Sequence, residues 1–180
     1  GFVTLGIGEE PVKHLDPGMV LQRLPESSET LNTEYENTFG LVVGSACPPY
    51  ESEYIGSKFA FQRSNTLADI NGFYQAFGLA IANGRAERPD HIALELEFMA
   101  SLLGLERRAV IENLNDPEVI ATICRDAQVR FLTEHLAWWV PAFAKLLARE
   151  NEGGFYAAVA LFLAALIPAE RALLDVEIQS

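Results

Sequence analysis

The chain has 180 residues, 49% of them hydrophobic and 21% charged, a composition that suits a globular protein with one sizeable core and excludes a disordered one. Asp and Glu number 25 against 13 Lys and Arg, a formal net charge of -12. Such a field repels phosphate backbones; it argues against nucleic-acid or anionic-membrane binding and makes a basic peptide a natural partner.

Gly1 to Glu26 holds Pro11, Pro17 and Pro25 and reads as loop, with a short helical piece near Met19 to Leu24. Gly1 to Gly8 has no basic start and is followed by Glu9 and Glu10, so no secretory signal is read there. Ser27 to Phe39 reads as a helix. Ser27 or Ser28 can cap it, and Leu31, Tyr35 and Phe39 recur at a spacing of four. Gly40 to Ser57 is rich in Gly, Pro and Ser, and Cys47-Pro48-Pro49-Tyr50 makes it an ordered or extended loop.

Thr66 to Ala82 reads as a helix with a stripe of Ile70, Phe73 and Phe77, and Leu67 and Tyr74 beside it. Gly72 and Gly78 each weaken it by roughly 1 kcal/mol relative to Ala. Asn83 to Arg88 is a polar turn. Pro89-Asp90 starts a helix to about Leu103, with Asp90 as N-cap on the amide of Ile92 or Ala93 and Gly104 as the C-terminal cap. Glu106 to Asn113 reads as another short helix.

Asp116-Pro117 restarts the chain into a helical stretch from about Glu118 to Glu150, broken near Thr122 to Asp126. Leu132, Leu136, Trp139, Phe143 and Leu146 form its apolar stripe, and Pro141 should kink it around Ala137. After a turn at Glu152-Gly153-Gly154, Phe155 to about Val176 is apolar on nearly all sides and should be central in the core. The uncharged run Gly153 to Ala169 is shorter than the roughly 20 residues of a membrane span and contains Pro168, so no stable membrane insertion is expected. No segment alternates with period two for long. The expected fold is all-α, a single-domain bundle of six or seven helices over residues 1–180.

Catalytic sets are hard to find. Cys47 and Cys124 are far apart, with no CxxC and no Cys/His cluster, so neither a disulfide framework nor a structural zinc is expected. His91 and Glu95 are four apart on one helix face and can pair. Glu97 lies about 200° around the helix from Glu95, so the two acids cannot share a cleft for acid/base work. His135 beside Trp138 and Trp139 reads as a packed or hydrogen-bonded residue. His14, His91 and His135 make no metal triad and no Ser–His–Asp order. Gly6-Ile7-Gly8 lacks the context and the third glycine of a dinucleotide loop. The loop from Pro48 to Tyr54 sets Tyr50 and Tyr54 with Glu51 and Glu53 on a restricted backbone, a combination suited to peptide recognition. Binding, not catalysis, is the expectation.

These residues resemble the TorD/DmsD/NarJ family of redox-enzyme maturation chaperones. The resemblance rests on four ordered blocks: Tyr35-x-x-x-Phe39-Gly40; Pro48-Pro49-Tyr50-Glu51-Ser52-Glu53-Tyr54; Leu67 to Leu79 followed by Pro89-Asp90-His91-Ile92-x-x-Glu95-Leu96-Glu97-Phe98-Met99; and His135-Leu136-x-x-Trp139 with Phe155-Tyr156. Gly1 to Glu26 departs from the helical hairpin with which members usually begin. The resemblance implies an all-helical chaperone without a cofactor. It implies action in the cytoplasm on the catalytic subunit of a molybdopterin oxidoreductase. It implies binding of a twin-arginine signal peptide or, in the NarJ-like branch, of a subunit N-terminus that is not exported in that way. The matching groove positions are Tyr50, Tyr54, Asp90 and His91, with Glu95 to Met99 alongside. A basic, apolar signal needs an apolar groove with acids at its rim, and Glu51, Glu53, Asp90, Glu95 and Glu97 are the acids on offer. The rival readings are a factor that recognises a folded subunit and a helical scaffold; a homodimer is one option for the assembly.

Overall fold

The computed structural model describes residues 13–40, 47–56, 60–81 and 87–175. The Gly6-Ile7-Gly8 stretch, the middle of the Gly40–Ser57 loop, most of the Asn83–Arg88 turn and the end of the last helix lie outside them. The helices are α1 (Pro17–Leu21), α2 (Ser28–Phe39), α3 (Ala60–Ala76), α4 (Ile92–Ile111), α5 (Pro117–Phe131), α6 (Ala137–Glu150) and α7 (Phe155–Leu173). A 3-10 turn, Glu51–Glu53, precedes α3, and a π turn, Leu132–Leu136, joins α5 to α6. The expected all-α class holds. Among the described residues the β structure amounts to one antiparallel bridge, Tyr50 to His91. The chain gathers into two compact units, one of Gly1–Pro49 with Ala137–Ser180, the other of Tyr50–Leu136.

In the first unit Asp16 caps α1 by accepting from the Gly18 amide at 2.8 Å, and Ser27 caps α2 by accepting from the Thr30 amide at 3.1 Å. Tyr35 and Phe39, one turn apart on α2, meet Tyr156 of α7, and Phe39 also stacks on Phe143 of α6. The N-terminus of α7 falls on Gly154, which has no side chain to cap it; Glu34 of α2 accepts from the Phe155 amide at 3.2 Å instead. Trp139 is fully buried, as its place in the apolar stripe predicts, and Trp138 is exposed.

The last helix is not central. Four of its residues, Ala160, Leu163, Ala165 and Ile167, are buried, while Leu161 and Leu173 are exposed. An all-round apolar sequence names no preferred face, and α1, α2 and α6 pack on it. Among the described residues α7 alone is long and apolar enough to cross a membrane, by length and composition.

In the second unit α3 begins and ends about six residues before the expected limits. Gly78 takes φ +69, and Leu79 and Gly78 donate to the Tyr74 and Gln75 carbonyls. That is a Schellman stop, and glycine supplies its left-handed residue without strain. The opposite correction applies at Gly104. The helix runs through it to Ile111 and absorbs the separate helix expected from Glu106, because Leu105 to Arg108 are strong helix formers. The turn comes instead at Asn113 and Asp116, both with left-handed φ, before Pro117 opens α5. No break occurs at Thr122–Asp126. The irregularity is the π turn that ends at Leu136, just before Ala137, four residues ahead of Pro141, the place where a proline within a helix disturbs it. Phe73, Tyr74, Phe98 and Phe131 form the aromatic centre, with Phe98 and Phe131 at 4.7 Å between ring centroids.

Candidate functional site

The second and third family blocks meet where the bridge between Tyr50 and His91 ties the Pro-Pro-Tyr loop to the start of α4. Two prolines hold the approach to Tyr50 extended, and the Glu51 amide donates to the Asp90 carbonyl at 3.0 Å. The 3-10 turn then presents the Ser52 amide to Asp90 Oδ2 at 3.0 Å.

Asp90 is not the helix cap. Its carboxylate is fully buried and takes both Nε and Nη2 of Arg88, at 3.0 and 2.7 Å, besides the Ser52 amide. The bidentate pair and the amide together satisfy a charge that burial would otherwise penalise. Arg88 also donates to Glu53 Oε1 at 3.0 Å and to the Ser52 hydroxyl, and its guanidinium lies 4.5 Å from the centroid of the Tyr50 ring. The Tyr50 hydroxyl donates to Glu87 at 3.1 Å.

His91 is the cap of α4 in place of Asp90. Its Nδ1 accepts from the Ala93 amide at 3.1 Å, and its ring meets Tyr50 edge-on at 5.2 Å. Burial holds the imidazole below its ordinary pKa, against the opposing pull of Glu87 and Asp90. A capping lone pair on Nδ1 requires the same neutral form. The expected His91–Glu95 surface pair does not form: the ring is turned to its cap, and Glu95 is fully buried. Glu95 and Glu97 do point to different surroundings, one interior and one exposed, as their spacing requires.

Glu51 is buried as well, with its carboxylate 3.1 Å from Nδ1 of His135. So His135 is a hydrogen-bonded interior residue, as expected. The Tyr74 hydroxyl donates to the Pro89 carbonyl at 2.9 Å, and burial, then Glu95 and Asp90, push its pKa up. Glu51, Asp90 and Glu95 are thus interior supports and do not stand at a rim. The acids in reach of a partner are Glu53 and Glu97, with Glu87 beside them. Tyr50 and Tyr54 are half-buried at the same edge.

Glu97 borders a cavity of about 340 Å³ lined by Tyr74, Leu79, Ile81, Leu94 and Phe98. It is open to solvent, mostly apolar, and has one carboxylate at its side. Arg88 and Tyr74 are the site residues that sequence reasoning missed. Arg88 stood in a polar turn, but an arginine two residues before an aspartate, across a proline, was the available signal.

Comparison with known proteins places the chain in a family. The model of the nitrate reductase delta subunit family matches residues 9–145. The chain belongs to that family. It therefore sits with the TorD- and NarJ-type maturation chaperones that its sequence blocks resemble. The selenate reductase assembly chaperone protein of Thauera selenatis is 33% identical over 81% of this chain and 71% of its own length. The chaperone protein TorD of Photobacterium profundum is 29% identical over 72% of this chain and 57% of its own. The chlorate reductase assembly chaperone protein of Ideonella dechloratans is 33% identical over 66% and 58%. The chain thus spans little more than half the length of the last two. No solved structure matches. The relatives are named as chaperones and assembly proteins.

Proposed function

We propose that this protein is a cytoplasmic maturation chaperone that binds the signal peptide or N-terminus of the catalytic subunit of a molybdenum oxidoreductase, and that it turns over no substrate of its own. The observation that carries the reading is the solvent-open apolar cavity beside Glu97, a few residues along α4 from the Asp90–His91 junction that the family shares. An apolar peptide stretch fits Leu79, Leu94 and Phe98, and a preceding arginine fits Glu97. The buried acids Glu51, Asp90 and Glu95 serve the binding surface indirectly, by holding the Tyr50 loop and the start of α4. The net charge of -12 draws a basic segment in from a distance.

The test is binding of a labelled peptide with paired arginines and an apolar stretch. Glu97→Gln should weaken it about two- to fivefold and flatten its salt dependence, the size of an exposed charge pair. Leu79→Ser should weaken it equally at all salt concentrations. Indifference to both changes would sink the assignment of this cavity. The second reading, that of the NarJ-like branch, has a client that is not exported. Pull-down of a client with and without its first residues separates an N-terminal handle from recognition of the folded subunit.

A further inference from the structure

The spacing of histidines and acids in the sequence suggests no metal set, but the fold brings together three possible ligands away from the cavity beside Glu97. Asp69 of α3, and Glu134 and His135 of the π turn, offer ligand atoms that all lie within 4.8 Å of one another. They line an open cavity of about 640 Å³, with Gln62, Asn65 and Thr66 on its other side.

His135 makes this more than a cluster of acids. It is 3% exposed, and its two nitrogens face two carboxylates. Nδ1 lies 3.1 Å from Glu51 Oε2. A carboxylate only accepts, so Nδ1 carries the proton. In the tautomer with its single proton there, Nε2 offers a lone pair. It lies 3.3 Å from Asp69 Oδ2 and makes no hydrogen bond. A cation between the ring nitrogen and the carboxylate accounts for that approach. The distance itself points to a metal. Two ligands about 2.0–2.1 Å from a tetrahedral zinc are about 3.3 Å apart along the edge of the tetrahedron. The Glu51–His135 contact completes the pattern, because a metal-bound histidine usually gives its other N–H to a carboxylate that fixes the ring.

We propose that Asp69, Glu134 and His135 form a binding site for a divalent transition-metal cation of the zinc class, with Glu51 orienting the imidazole. One imidazole and two carboxylates suit such an ion, and the open cavity leaves room for water as a fourth ligand. Arg130 competes for the site, since its guanidinium holds both Glu134 oxygens at 3.3 Å. Thiols do not: burial pushes Cys47 up to about 12 and raises Cys124, so neither is a thiolate at neutral pH.

The experiment is titration of the chelator-stripped, untagged whole chain with Zn²⁺ alone, in competition with a chromophoric chelator. One zinc per chain is expected. Asp69→Asn and Glu134→Gln should each weaken it by about tenfold or more. Arg130→Gln should tighten it by releasing Glu134. All three side chains are exposed, so these variants should fold, which His135 variants need not do. Saturating zinc should raise the melting temperature of the wild type by roughly 5 °C and leave that of the Asp69→Asn/Glu134→Gln double variant unmoved. No stoichiometric binding, or binding that the two ligand variants leave unchanged, overturns the proposal; a proton then balances the two carboxylates.

Discussion

In the unit of Gly1–Pro49 with Ala137–Ser180, the large side chains sealed from solvent are Trp139, Phe143 and Leu147, and Thr38 is the one buried polar residue among those described. In the unit of Tyr50–Leu136, Glu51, Ser52, Asp90, Glu95, Gln128 and His135 are all buried. The first is held by aromatic and aliphatic packing, which is indifferent to pH. The second keeps three carboxylates and an imidazole inside, and buried charges of this kind make stability depend on the partners they meet. The residues that the family blocks share are concentrated in the second. Acid-rich motifs invite a reading as contacts for a basic ligand; here Glu51, Asp90 and Glu95 are buried, and Asp90 holds the Ser52 amide and Arg88.

The largest expected effect lies in the packed unit. Phe143→Ala removes a ring that touches Phe39 and lies 5.5 Å from Trp139. It should cost about 3–5 kcal/mol, with little change between neutral and mildly acid pH. Both tryptophans belong to this unit, so their emission follows its unfolding selectively. Asp90→Asn comes next, in the polar unit. It keeps the shape but takes the carboxylate from Arg88 and weakens the acceptor for the buried Ser52 amide. The expected loss is about 1–3 kcal/mol, read by far-UV circular dichroism during denaturant unfolding. If the tryptophan transition moves as far as the dichroism transition, the two units unfold as one, and the contrast between them has no consequence for stability.

Much of this was legible in the residues. Ser27 as a cap, the Tyr35–Phe39 stripe and the burial of Trp139 follow from spacing and side-chain size, which are local properties. The errors have a common cause. Asp90 is a better cap than His91 by type, but Arg88 and the Ser52 amide compete for its carboxylate, and Ser52 lies 38 residues away in sequence. His135, Asp69 and Glu51 are likewise brought together from three separate elements. Gly78 and Gly104 look alike in sequence. Only the first is followed by a chain that turns away, and the helix formers after Gly104 decide the other case. The exposure of α7 was illegible because a helix apolar on every side carries no record of which side is covered.

The smallest effect tests the polar unit most sharply. His91 caps α4 through an unprotonated Nδ1, and burial lowers its pKa. The unfolded imidazole binds a proton below about pH 6.5, whereas the folded one resists until a lower pH. Below that point the unfolded state holds more protons, so stability falls as pH drops from about 6.5 towards the folded pKa. His91→Asn keeps a side-chain acceptor at the cap and removes the titration; near pH 7.5 it should stay within about 0.5 kcal/mol of the wild type, since asparagine is among the best N-caps. Urea midpoints near pH 7.5 and pH 5.5 should then separate the two proteins. The wild type should lose more on acidification than the variant, and equal losses would mean that the cap tolerates the charged ring.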